Sequence, residues 1–88
     1  MKSESEIKAK LEKYFKNAEK LFDGVRVDDS TRIDVKRAGE GILESASNYY
    51  SDAMHFYENG EYFNALAALE YAEGWLDAGK SIGLLTKD

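Results

Sequence analysis

The sequence predicts an all-α protein, an antiparallel three-helix bundle with a long helix 2–helix 3 hairpin. Three observations carry this. There is no proline anywhere in the 88 residues, so nothing forbids long uninterrupted helices. Apolar residues recur in steps of three and four along nearly the whole chain, the spacing of one helix face. Finally, the periodic runs stop at Asp23-Gly24 and Asn59-Gly60, where glycine tolerates the left-handed position that ends a helix.

The first helix is expected over residues 4–23. Ser3 or Ser5 can cap it, with Glu6 placed to complete a capping box from Ser3. Its apolar face is Ile7, Leu11, Tyr14, Phe15, Ala18, Leu21 and Phe22. Residues Val25 to Ser30 then read as a linker, whose Asp and Ser side chains compete for backbone hydrogen bonds and offer a cap to the next helix. The second helix is expected over 31–59, with a stripe of Val35, Ala38/Gly39, Ile42, Ala46, Tyr49, Ala53 and Phe56. Gly39 and Gly41 each weaken it by about 1 kcal/mol relative to alanine, so a close crossing or a local irregularity is expected there.

The third helix is expected over 61–82. One stripe is Tyr62, Ala65, Leu69, Ala72, Leu76, Gly79 and Gly83; a second is Ala68, Tyr71, Trp75 and Ile82; a small-residue set is Ala67, Gly74 and Ala78. The apolar arc exceeds half the circumference, and such a helix must meet more than one neighbour. Either both other helices or a second copy would cover it, with Trp75 anchoring the core. Gly83-Leu84 suits a Schellman-type stop.

Residues 1–88 are expected to form a single domain, which buries roughly 60–65% of the surface its unfolded chain exposes. That supports one core and no deep substrate cavity. Disulfides and thiolate metal sites are excluded, because there is no cysteine. The N-terminal residues lack the apolar run of a signal peptide, and no window has the apolar length of a membrane span. The expected setting is the cytoplasm, with no membrane partner. The net charge of −5 is unevenly spread. Ten Lys/Arg against eight Asp/Glu leave residues 1–38 at +2, whereas two Lys against nine Asp/Glu leave residues 39–88 at −7. The acidic half repels phosphate backbones. In the first helix, Glu4, Glu6, Glu12 and Glu19 offset Lys8, Lys10, Lys13, Lys16 and Lys20. No nucleic-acid partner is expected.

The string Gly74-Trp75-Leu76-Asp77-Ala78-Gly79-Lys80-Ser81 satisfies G-x-x-x-x-G-K-[ST], the phosphate-binding loop pattern. Such a loop follows a strand and opens a helix, so that its free N–H groups face the phosphate. Here the preceding residues, Ala65 to Glu73, are helix formers at helical spacing. Within a helix the N–H groups are consumed by i→i−4 bonds, and Asp77 would put negative charge in the nest. The match is therefore read as false, and Gly74 and Gly79 as points of close approach by another helix.

Other constellations are sparse. Asp52-x-x-His55 has carboxylate–histidine metal spacing, but dimetal bundles need the motif twice and this chain has one histidine. Glu70, Glu73 and Asp77 share a helix face that could hold a divalent ion. No serine is paired with a base, and there is no cysteine nucleophile. No cofactor and no catalytic residue are assigned. Aromatic residues gather around the helix 2–helix 3 hairpin, and Tyr57 and Phe63 fall off the main stripes. An exposed aromatic pair beside an acidic surface suits protein binding.

The run Tyr49-Tyr50-Ser51-Asp52-Ala53, then Phe56, Gly60 to Leu66, Tyr71 to Gly79 and Gly83-Leu84 resembles an archaeal family of small proteins catalogued as domain of unknown function 357. The resemblance covers residues from about 36 to 85 closely, and the first helix only in pattern. It implies an all-helical bundle and an archaeal cytoplasmic origin, and no activity. The family's Trp-Leu-Asp-Ala-Gly string maps onto Trp75 to Gly79. Packing does not explain the identity of Asp77 there, which leaves it to bond another helix or meet a ligand.

The reading as a whole is a non-enzymatic protein-interaction or self-associating module, with a homodimer or another protein as partner. Its candidate binding residues are Glu70, Glu73, Trp75, Asp77, Tyr57 and Phe63. The alternative is a divalent-metal or small-ligand protein using the acidic face of the third helix.

Overall fold

The computed structural model describes residues 4–27 and 33–87. Three helices, α1 (Glu4–Phe22), α2 (Ile33–Glu58) and α3 (Tyr62–Ser81), form an elongated bundle 50 Å in its longest dimension. Two short strands, β1 (Val25–Val27) and β2 (Leu85–Lys87), pair antiparallel, with Val25 opposite Lys87 and Val27 opposite Leu85. The expected bounds agree with the helices to within two residues wherever they can be compared. The expected start of the second helix and the Ser3 cap lie outside the described residues.

Glycine stops shape the hairpin. Gly60 adopts φ +78°. Its N–H bonds the Tyr57 carbonyl at 3.0 Å, and the Glu61 N–H bonds the Phe56 carbonyl at 2.8 Å. This is a Schellman motif, which satisfies carbonyls that the end of α2 would otherwise leave open. The same geometry ends α3: Gly83 has φ +79°, and the Leu84 N–H bonds the Gly79 carbonyl at 2.9 Å.

The two helix seams differ in texture. Between α2 and α3 the buried residues are small: Ala46, Ala53, Ala65, Ala68 and Ala72. They let the two axes approach closely, and this pair makes the most extensive contact in the molecule. Between α1 and α2 the contacts are between rings. Phe15 meets Tyr50 and Tyr57 edge-on at centroid distances of 6.0 and 5.4 Å, and Phe22 meets Tyr50 at 5.1 Å. The core has two tiers. Ala18, Ala53, Ala68 and Leu69 fill one; Ala46, Leu76 and Leu85 fill the other, beside the strands.

The strand pair corrects the linker reading of residues 25–27 and extends the ordered chain past the third helix. Val25 and Val27 pack in the second tier with Leu85. The side chain of Lys87 donates to the carbonyl of Lys20, one of the carbonyls at the end of α1 that lack an intrahelical partner. Space for β2 comes from missing side chains. A Cβ on Gly39 would stand 2.8 Å from the Leu84 carbonyl oxygen. A Cβ on Gly79 would stand 2.6 Å from a Leu85 methyl and 3.1 Å from Ile42. Close approach at these two glycines is thus real, but the approaching group is the C-terminal segment, with Val27 at Gly39 and Ile42 at Gly79, and not a helix backbone. A Cβ on Gly41 or Gly74 would meet nothing within 4 Å, and α2 runs through both its glycines as continuous α-helix.

Two substitutions of equal chemistry should therefore move stability in opposite directions. Gly41→Ala should raise it by about 0.5–1 kcal/mol, the propensity difference alone. Gly39→Ala should lower it by about 1–3 kcal/mol, because overpacking against backbone exceeds the propensity gain. Urea denaturation of the two variants and the parent decides the point.

Candidate functional site

The arc of α3 divides into three faces. Ala65, Leu69, Ala72, Leu76 and Gly79 are buried, against α1, α2 and Leu85. Glu70, Glu73, Asp77 and Lys80 form a polar edge. The remaining face points outward: Tyr71 is 62% exposed, Trp75 38% and Ile82 66%, with Ala67, Gly74 and Ala78 exposed between them. Trp75 is thus not the core anchor that its spacing suggests. Three helices give α3 two neighbours, and these occupy its other sides.

The outward face forms an open groove of about 690 Å³ with Tyr49, Glu70, Tyr71, Gly74 and Trp75 in its walls. Tyr49 of α2 stacks on Tyr71 at a centroid distance of 5.2 Å and an interplanar angle of 23°. That contact holds the Tyr71 ring against the surface. The stripe residues Ala67, Tyr71, Gly74, Trp75, Ala78 and Ile82 are uncharged, with the Glu70 carboxylate at the edge of the groove.

The polar edge holds three of the sequence-predicted residues together. Glu73 is half-buried, and its carboxyl is pushed up from the ordinary carboxylate range, first by burial and then by the charges of Asp77 and Glu70. Asp77 lies 3.9 Å from Lys80, one turn further along the same helix. A pair so exposed stabilises the helix by only about 0.3–0.5 kcal/mol. No group of three or more His, Cys, Asp or Glu side chains among the described residues could hold a metal ion. Asp52 and His55 are both exposed.

Tyr57 and Phe63 do not meet as a pair. Tyr57 is taken up by the bundle: its hydroxyl donates to Glu12 of α1 at 2.6 Å, and its ring contacts Phe15 and Tyr62. Phe63 is 72% exposed and borders a smaller groove with Ile7, Lys10 and Tyr14 of α1. Sequence reasoning misses Tyr71 and Ile82 as site residues, although both are visible as apolar positions beside Trp75. Periodicity assigns them to packing, because the wide arc alone does not say which side stays uncovered.

The string from Gly74 to Ser81 is helical throughout. Its residues serve all three faces of α3: Leu76 and Gly79 inward, Asp77 and Lys80 on the polar edge, Gly74, Trp75 and Ala78 outward.

These features define a small helical bundle with one outward helix face that bears aromatic side chains. Residues 13–85 match the model of a family described as protein of unknown function (DUF357), and the chain belongs to that family. No curated protein and no solved structure matches it.

This geometry implies two titrations. Glu73 ionises less readily in the folded chain than in the unfolded one, so its charge costs stability as pH rises above the ordinary carboxylate range. Glu73→Gln should raise the thermal midpoint at pH 7, and the gain should vanish in acid where Glu73 is protonated. The Tyr57 phenol is pushed up from 10.0 to about 12, first by its hydrogen bond to Glu12. That contribution to stability is full below pH 10 and lost as pH rises through about 12. Tyr57→Phe should remove this alkaline dependence, followed by circular dichroism, along with the latest-ionising phenol in the absorbance titration.

Proposed function

We propose that the protein is a non-enzymatic helical module that works by protein–protein contact through the outward face of α3, in the cytoplasm of an archaeal cell. The observation that carries this is the uncharged stripe with Tyr71, Trp75 and Ile82 exposed along it. Isolated surface apolar residues are ordinary, but a contiguous patch of several hundred Å² marks an interaction surface. Aromatic side chains are enriched at interface centres and charged ones depleted. The stripe has the length to receive another helix, laid along its small residues and flanked by its rings.

The second reading is a small-ligand site on Glu70, Glu73 and Asp77, without a metal ion, since these carboxylates do not come together as a group that could hold one. What favours it is the influence of Glu70 and Asp77 on the Glu73 carboxyl, which brings three negative charges into one neighbourhood.

Affinity purification from the native cell tests the main reading. Tagged parent should retain a partner protein, and Tyr71→Asp/Trp75→Asp should lose it while keeping the helical spectrum of the parent. Retention by the double variant, or no partner on the parent, overturns the proposal. Loss with Phe63→Asp instead assigns the contact to the groove beside α1 and overturns the choice of face.

A further inference from the structure

We infer that the occupant of this face is a second copy of the chain, its α3 antiparallel to the first, with a two-fold axis between Gly74 and Trp75. This rests on the reading of the outward face as a protein-contact surface. The residues of the stripe are Ala67, Tyr71, Gly74, Trp75, Ala78 and Ile82. Their spacing reads the same in both directions about the midpoint of Gly74 and Trp75. A two-fold interface is self-complementary: if one residue meets another, the reverse contact is also made. An antiparallel pair centred there brings Ala67 opposite Ile82 of the second copy, Tyr71 opposite its Ala78, and Gly74 opposite its Trp75. In every pair a small residue faces a large one. Bulk on one helix thus enters the space left by the other, the condition for close helix packing.

The parallel alternative lacks this match. It would place Trp75 on Trp75 and Gly74 on Gly74, with bulk meeting bulk and gap meeting gap. The open space at Gly74, where a Cβ would meet nothing within 4 Å, is then the receptor for an indole. Tyr49, stacked on Tyr71, fixes the edge of that receptor.

Size and charge set the character of the dimer. The exposed parts of Tyr71, Trp75 and Ile82 with the small residues offer roughly 400–500 Å² per copy, given the area such side chains present. The total of roughly 800–1,000 Å² falls below stable specific interfaces and within the range of weak ones, so association should be reversible and concentration-dependent. Glu70 and Asp77 border the stripe on one side. The two-fold brings that border alongside its own counterpart, so salt should strengthen the dimer by screening the repulsion.

Sedimentation equilibrium and cysteine pairing test the inference on the full chain, which has no cysteine of its own. The parent should show a monomer–dimer equilibrium that tightens with added salt. Gly74→Leu should weaken it at least tenfold while raising the thermal stability of the monomer, a combination that misfolding cannot mimic. Under mild oxidation, Ala67→Cys mixed with Ile82→Cys should form the mixed disulfide dimer, and neither variant should pair efficiently with itself. Efficient self-pairing at 67 and at 82 would show a parallel pair and overturn the register. A parent that stays monomeric at millimolar concentration overturns the second copy as occupant. Loss of a different protein from Tyr71→Asp/Trp75→Asp in the cell extract would then still uphold the contact face, so the two failures are distinguishable.

Discussion

The arrangement of the whole molecule depends on two absent side chains. At Gly39 and Gly79 the surfaces of α2 and α3 are low enough for the chain leaving α3 to lie against them. Leu85 enters the core there and is 4% exposed. Its strand pairs with β1, which holds the exit of α1, and Lys87 reaches back to the end of α1. A hairpin of two long helices would otherwise leave an open apolar end. Here that end is closed by three residues of strand on each side, and α1 is tied to the hairpin by backbone hydrogen bonds as well as by side-chain packing.

The closeness of α2 and α3 has a second consequence. Alanines along the seam bring the two axes together, while Phe15, Phe22, Tyr50 and Tyr57 meet at the junction with α1. Leu66, Leu69 and Glu73 of α3 border a groove with Tyr14 and Leu21 of α1. The side of α3 opposite that junction faces water. The open stripe is therefore a product of topology: a bundle of three helices cannot surround any one of them.

The helices are legible in the sequence because their signals are local. Periodicity, propensity and the Gly24, Gly60 and Gly83 stops all act within a few residues, and all three glycines adopt positive φ. The strands are not legible, because Val25-Arg26-Val27 and Leu85-Thr86-Lys87 are short and their pairing joins opposite ends of the chain. Nothing within either triplet announces the other. Gly39 and Gly79 show that something comes close, without showing what. The candidate site is half legible for a similar reason. Trp75 stands out in the sequence, but the same apolar arc supports a buried and an exposed tryptophan equally well. Which it is depends on where α1 lies, a tertiary fact.

What the fold requires and what the sequence carries can now be separated along α3. Leu69, Leu76 and Gly79 have reasons inside the monomer: they fill the core or make room for Leu85. Asp77 and Lys80 keep one edge hydrated and form a loose ion pair. Tyr71 stacks on Tyr49 and Trp75 is partly covered, yet most of Tyr71 and Ile82 stays outside the core. Lysine or glutamate at those positions would extend a helix as well and hold it in solution better. Their apolar bulk stabilises little while it remains in water, because the hydrophobic gain comes only with burial. On the proposed reading, a second surface completes the burial of this face. The string that resembled a phosphate loop thus contains Gly74 and Trp75 side by side, a gap and a ring that a two-fold can fit to each other.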